Sequence, residues 1–121
     1  MQLNPSCIRG ILLTAESKCT FSEVWEYTKN SLNIPYLAEF THDEILYHIR
    51  QAQASGLIRG VHYYNGGAAV IIHDLTPAGH EFLANIKTPS VWKDICKKAS
   101  GASLPIITEL AKQLAVKFFL S

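Results

Sequence analysis

The sequence predicts a mostly helical α+β domain, and three observations support this. Apolar residues recur at helical spacing in several segments, and a good helix-capping residue precedes each segment. Residues 57–64 and 68–74 are instead rich in β-branched and aromatic residues, as strands are. The Asn65-Gly66-Gly67 connection between them is typical of a tight hairpin turn.

The first helix is predicted to begin at Asn4-Pro5. Asn4 is a favoured capping residue, and Pro5 at the first helical position loses no needed hydrogen bond. The apolar residues that follow form one helical stripe: Ile8, Ile11, Leu12 and Ala15.

A second helix is predicted for residues 21–31, because Thr20 and Glu23 have the spacing of a capping box. Its expected apolar residues are Val24, Trp25, Tyr27 and Leu32. Pro35 ends it, since the residue before a proline is pushed out of the α-helical region. Residues 34–40 are predicted to be an irregular connection or a short turn of helix.

The third helix, residues 42–55, has the strongest signals in the chain. Thr41 and Glu44 again have the spacing of a capping box. Gly56 is placed to end the helix in the left-handed conformation, and Leu57 can make the hydrophobic contact that accompanies such an end. The two predicted strands and their hairpin turn follow directly.

Three further helices are predicted towards the carboxyl terminus. Thr-Pro pairs beginning at Thr76 and Thr88 are start signals for the first two, and Gly101 ends the second. The last helix begins near Ser103 and has a wide apolar face. That face carries Ile106, Ile107, Leu110, Leu114 and Phe118.

Three helices, a two-stranded hairpin and added helices are the element order of a winged helix-turn-helix domain. The sequence thus predicts a winged-helix domain in residues 1–87. Residues 88–121 form a carboxyl-terminal helical extension, which either packs on that domain or forms a dimer interface. The two parts are expected to make one structural domain.

Several spaced motifs resemble those of a family of small bacterial and phage proteins known only as a domain of unknown function. The motifs are Tyr47-His48, Gly56-Leu57, LTxxGHEFL over residues 75–83, and Val91-Trp92-Lys93. The resemblance covers most of the chain. It implies a winged-helix fold and a phage or prophage association, and a regulatory role is presumed for the family. It supplies no catalytic residues.

Composition places the chain among cytoplasmic globular domains. Its 121 residues suit one domain, and 48% of them are apolar. No apolar run approaches the ~20 residues of a membrane span, and the first residues lack the pattern of a secretory signal. The three cysteines have no CxxC spacing, which favours reduced, buried thiols. We expect no membrane association.

No catalytic chemistry is predicted. The sequence contains no GxSxG, P-loop or GxGxxG motif, so we expect neither an enzyme nor a cofactor. Of the five histidines, His62 and His73 can face each other across the hairpin, but no third metal ligand is evident. His48 lies on an apolar helix face and is expected to be a hydrogen-bonded core histidine or a half-buried one.

Duplex DNA is the partner that a winged helix suggests, through the amino-terminal and outward positions of the third helix. Those positions hold His42, Tyr47, Arg50 and Gln51. Against this, residues 1–86 contain five Lys/Arg and eight Asp/Glu, a net charge of −3. Residues 87–121 contain six lysines and two acids, a net charge of +4.

Two hypotheses therefore stand side by side. The first is a DNA-binding transcriptional regulator that acts as a homodimer through residues 103–120. The second is a protein-interaction module that keeps the winged-helix fold without DNA binding. Lys93 and Lys97 share one helix face, which is either a patch for phosphates or an acidic partner, or simply a solvated face.

Overall fold

The computed structural model of the chain describes residues 1–30, 34–99 and 101–120. Within these residues there are five α-helices: α1 Pro5–Lys18, α2 His42–Ala54, α3 Pro77–Ile86, α4 Pro89–Lys98 and α5 Leu104–Leu120. The start predicted at Asn4-Pro5 is confirmed, since Asn4 Oδ1 accepts a hydrogen bond from the N–H of Ser6 at 2.9 Å. Thr76 caps α3 in the same way by accepting from the N–H of Gly79 at 3.0 Å.

Five short strands within the same residues form two antiparallel sheets. They are β1 Trp25–Thr28, β2 Ile58–Arg59, β3 His62–Tyr64, β4 Ala69–Ile72 and β5 Asp74–Leu75. In the first sheet β4 lies between β1 and β3, while β2 and β5 pair in the second. The predicted α+β class with mainly helical content is confirmed. Each long predicted strand is in fact two short ones, because the chain passes from one sheet to the other.

The helix predicted for residues 21–31 is wrong, because the segment contains β1. Thr20 Oγ1 accepts from the N–H of Glu23 at 3.0 Å, as a capping residue does. However, the N–H of Thr20 donates to the carbonyl of Glu23 at 3.0 Å, which closes a tight turn instead of opening a helix. Leu32, expected on the apolar side of that helix, lies outside the described residues.

The side chains of β1 alternate between core and solvent. Trp25 and Tyr27 are buried, and Glu26 between them is exposed. Trp25 pairs with Ile72 and Tyr27 with Val70, both buried residues of β4. Pairing with β4 satisfies the backbone groups along one side of β1, so the tertiary partner decides the conformation over the local capping signal.

The hairpin predicted at Asn65-Gly66-Gly67 is confirmed, but its sheet has three strands instead of two. β3 pairs with β4 from His62–Ile71 to Tyr64–Ala69, and residues 65–68 form the connection. Asn65 and Gly66 have φ angles of 52° and 66°, the left-handed region that this dipeptide tolerates. The third strand is β1, on the other side of β4.

The core is built around α1. Its side chains Cys7, Ile8, Ile11, Leu12 and Ala15 are all fully buried. The helix packs against α2, α3, α4 and a strand of each sheet. The turn of 3-10 helix Pro35–Leu37 also packs on α1, which agrees with the short turn predicted in residues 34–40.

The carboxyl-terminal helices pack within the chain. α4 contacts α1 and α3, and the Arg9 guanidinium of α1 lies 5.1 Å from the centre of the Trp92 ring. α5 packs chiefly on α3 and α4. The buried residues of α5 are Leu104, Ile107 and Ala111, all in its first half.

Candidate nucleic-acid interface

Both ends of α2 are fixed by local hydrogen bonds. At its start, Thr41 Oγ1 accepts from the N–H of Glu44 at 3.2 Å, and the Glu44 carboxylate accepts from the N–H of Thr41 at 3.0 Å. These bonds lower the pKa of the Glu44 carboxyl. At its end, the N–H of Leu57 donates to the Ala52 carbonyl at 2.9 Å, as in a Schellman motif. The helix is therefore held in a defined position from both ends.

The inner side of α2 carries one buried titratable residue, His48. Its Nε2 accepts from the backbone N–H of Asn4 at 2.8 Å, so Nδ1 carries the proton and donates to the Glu44 carbonyl at 2.6 Å. Burial lowers the pKa of this imidazole, and its bond to Glu44 offsets part of that effect. The predicted hydrogen-bonded core histidine is confirmed, and it ties the first residues of the chain to α2.

The outward face of α2 presents Asp43, Tyr47, Arg50 and Ala54. Asp43, Arg50 and Ala54 are exposed, while Tyr47 is half-buried with its ring edge-on to His48 at 5.0 Å. Two of the four residues proposed to face DNA, Tyr47 and Arg50, thus lie on one surface. Gln51, the third, is half-buried beside them.

His42, the fourth of these residues, is tied to β1. Its Nδ1 forms a hydrogen bond with the Tyr27 hydroxyl at 2.8 Å, and the two rings are stacked with centres 5.6 Å apart. The ring is half-buried and has a structural partner. Sequence reasoning missed this pair, because it placed Tyr27 in a helix.

A groove of about 750 Å³ separates α2 from the β3–β4 hairpin. Its helical wall is formed by Asp43, Leu46, Tyr47 and Arg50, and its other lining residues are Tyr63, Gly66, Gly67 and Met1. Tyr63 pairs with Val70, so its side chain lies on the same sheet face as the core residues of β4. Burial raises the pKa of the Tyr63 hydroxyl although the Arg50 charge opposes it, so the phenol is neutral at pH 7. The wall that Tyr63 forms across the groove from α2 was not predicted from the sequence.

A second cavity, of about 510 Å³, lies at the amino-terminal end of α2. It is lined by residues 1–5, Glu44, Cys96 and Gly101. The carboxyl end of α4 therefore lies beside the start of α2. Met1 lines both this cavity and the hairpin groove, so the two are neighbours on one side of the molecule.

The cysteines do not form a reactive centre in this region. Burial and the charges of Glu44 and Glu39 raise the pKa of the Cys7 thiol to about 12. Cys19 is half-buried, and its Sγ lies 3.5 Å from the Ile72 carbonyl oxygen. Cys96 is exposed, which differs from the expectation that all three thiols are buried.

The His62 and His73 rings do face each other, with centres 5.6 Å apart. In the described part of the chain, no group of three or more His, Cys, Asp or Glu residues is arranged to hold a metal ion. None of the described helices has the length and apolar character that crossing a bilayer requires.

The side chains of the predicted apolar face of α5 differ in their exposure to solvent. Ile107 is buried, and Leu110 and Leu114 are half-buried against the rest of the chain. Ile106 and Phe118 are 60% and 55% exposed. Exposure rises at the end of the helix, where Phe119 is 87% exposed.

Comparison with known proteins identifies the family of this chain. A family model described as hypothetical protein DUF2513 matches residues 2–105, from the amino terminus to the start of α5. The chain belongs to this family. It is also similar to an uncharacterized protein of Haemophilus influenzae, with 31% identity over 116 residues that cover 95% of this chain and 92% of the relative. No solved structure matches the chain.

The residues matched by the DUF2513 model include the positions of the four motifs that suggested a resemblance, and the structure explains three of their residues. His48 joins Asn4 to α2, Gly56 caps the end of α2, and Gly79 begins α3 close to the Leu57 backbone. His48 and Gly56 thus act at α2, and Gly79 allows the close approach of α3 to Leu57.

Proposed function

We propose that this chain is a winged-helix protein that binds duplex DNA, and that it is a transcriptional regulator of phage or prophage type. The observation that carries the proposal is the order α1, β1, a 3-10 turn, α2 and the β3–β4 hairpin, with β4 central in the sheet. In this arrangement α2 is the recognition helix and the hairpin is the wing. The helix before α2 is reduced to the single turn Pro35–Leu37.

Arg50 is the residue of this surface best suited to DNA. It is exposed on the outward face of α2, and a guanidinium binds guanine or phosphate through two parallel hydrogen bonds. Tyr47 and Tyr63 beside it can contact the sugar-phosphate backbone. Asp43 in the first turn opposes phosphates, but a carboxylate there also favours the helix dipole.

Replacing Arg50 by alanine is expected to weaken DNA binding by about 5- to 150-fold, since one good bidentate contact contributes about 1–3 kcal/mol. The measurement is fluorescence anisotropy with labelled duplex DNA over a salt titration. Arg59→Ala is the matched control, because it removes the same charge from the second sheet. Absence of salt-sensitive binding by the wild-type chain at low ionic strength would exclude the DNA function.

A homodimer is the second part of the proposal. Specific DNA binders neutralise roughly six to ten phosphates, and residues 1–86 contain five basic residues in total. Two copies would double the contacts. The exposed apolar end of α5, with Val116, Phe119 and Leu120 exposed by 52–87%, supports pairing through residues 103–120.

The double substitution Val116→Lys, Phe119→Lys is expected to convert the dimer to monomer without unfolding it, because both side chains are exposed. Light scattering coupled to size-exclusion chromatography measures the mass. Ser17→Lys adds a positive charge at an exposed site of α1, outside residues 103–120, and should leave the dimer intact. An unchanged mass for the double variant means that the chains do not pair through this end of α5.

A second candidate function is binding of a protein partner at the same surface. It is favoured by the composition of the hairpin groove, which has two tyrosines and apolar residues but only one cation, Arg50, and one acid. Tyrosine and arginine are enriched at protein interfaces. In this case the wild-type chain would show no salt-dependent DNA binding. Arg50→Ala and Gln51→Ala would then have no DNA affinity to reduce.

A further inference from the structure

The basic part of the chain lies next to the proposed recognition surface. Lys93 and Lys97 belong to α4, and Cys96 between them lines the cavity beside the first turn of α2. Met1 connects that cavity to the hairpin groove. One side of the molecule therefore carries the hairpin, α2, the first residues of the chain and the carboxyl end of α4.

The two lysines are available for an external partner. Both are exposed, and the one ion pair among the described residues joins Lys87 to Glu16. Helical geometry puts Lys93 and Lys97 on the outward face, opposite the buried residues Val91 and Ile95. Lys97 in the last turn also favours the helix dipole, but Lys93 in the middle of α4 has no such local explanation.

Other charged groups of this region already have roles within the fold. The Arg9 guanidinium lies over the Trp92 ring, which holds it at the α1–α4 contact. Lys98 and Asp94 line a cavity between α4 and α5, on a different side of α4. Burial raises the pKa of the Cys96 thiol, and the Arg9 charge opposes part of that rise.

We propose that Lys93 and Lys97 of α4 form a phosphate-binding edge that extends the α2–hairpin surface along duplex DNA. This inference rests on the proposed DNA function. Residues 1–86, which form the α2–hairpin surface, have a net charge of −3, and residues 87–121 have a net charge of +4. Lysines of the second segment at the edge of that surface would therefore help it to approach the polyanionic DNA. The contacts are to the sugar-phosphate backbone, so they add affinity without sequence preference.

The test compares Lys93→Gln, Lys97→Gln with the control Lys18→Gln, Arg59→Gln in salt titrations with mixed-sequence duplex DNA. Both variants lose two exposed positive charges, but the control residues lie on α1 and β2. Each lost phosphate contact reduces the magnitude of the slope of log K against log salt by about 1, so the α4 variant should lose about 2 units per bound chain, which is about 4 for a dimer. The control should keep the wild-type slope.

The outcomes separate the two proposals. If Arg50→Ala weakens binding but the α4 variant keeps the wild-type slope, the α4 edge is wrong and the DNA function stands. An equal loss of slope in the α4 variant and the control also contradicts the edge, because it shows a nonspecific charge effect. If the wild-type chain binds no duplex DNA at low salt, the proposed function is wrong and the edge with it.

Discussion

Replacing Gly79 by alanine is expected to destabilise the protein by about 3 kcal/mol, the upper part of the usual range for overpacking. A Cβ at this position would overlap the carbonyl oxygen of Leu57, which cannot move aside because it is backbone. That oxygen also accepts the N–H of Thr76 at 3.0 Å, just before α3. The substitution therefore forces α3 away from the end of α2.

Urea unfolding followed by circular dichroism measures this change, and Ala78→Ser is its matched control. Ala78 is the neighbouring residue of α3 and is exposed, so the free energy of unfolding should change by no more than about 0.5 kcal/mol. A Gly79→Ala protein as stable as wild type would show that α3 and Leu57 are not in this close contact.

Local signals were sufficient to predict α2 and the hairpin. The capping box at Thr41, the Schellman end at Gly56 and the turn at Asn65 each act within a few residues, so one short segment contains all the groups that interact. The start of α3 at Thr76 was predictable for the same reason. Such elements need no knowledge of the tertiary structure.

Elements decided by distant partners were not predictable. Thr20 and Glu23 have capping-box spacing, and only pairing with β4, more than 40 residues away in the chain, makes the following residues a strand. The switch between sheets at Arg59 also depends on β5. A pattern within one segment cannot report such a partner.

The candidate site was predicted in part for the same reason. The periodicity of α2 identified the outward positions of Tyr47 and Arg50. It did not find Tyr63 across the groove, the cavity that joins α4 to α2, or the bond between His42 and Tyr27. A correct assignment of β1 would have shown that Tyr27 faces inward, since it alternates with the exposed Glu26.

Acid is expected to destabilise the protein through His48 well before its carboxylates titrate. In the folded state Nε2 accepts the N–H of Asn4 while Nδ1 donates to Glu44, so a second proton would break the bond to Asn4. Burial holds the folded-state pKa below its ordinary value of 6.5. A group with a lowered folded-state pKa contributes full stability above its unfolded pKa, and that contribution is lost as the pH falls through the folded value.

The contribution of His48 to the free energy of unfolding should therefore be constant above about pH 6.5 and decrease below it. The hydrogen bonds to Thr41 lower the pKa of the Glu44 carboxyl, the group whose charge acts on the imidazole, so Glu44 does not account for a decrease in this range. His48→Gln retains an acceptor for Asn4 and should abolish the decrease in this range. His80→Gln, a change at an exposed histidine, should preserve it.

His48→Leu distinguishes the effect of losing the hydrogen bond from the effect of protonating the imidazole. It leaves the N–H of Asn4 without its acceptor, which costs about 1–3 kcal/mol at pH 7, and it also removes the dependence on pH. Denaturant unfolding at several pH values compares the three variants. A decrease that persists unchanged in both His48 variants would assign the acid sensitivity to another group, because neither variant can take up a proton at this position.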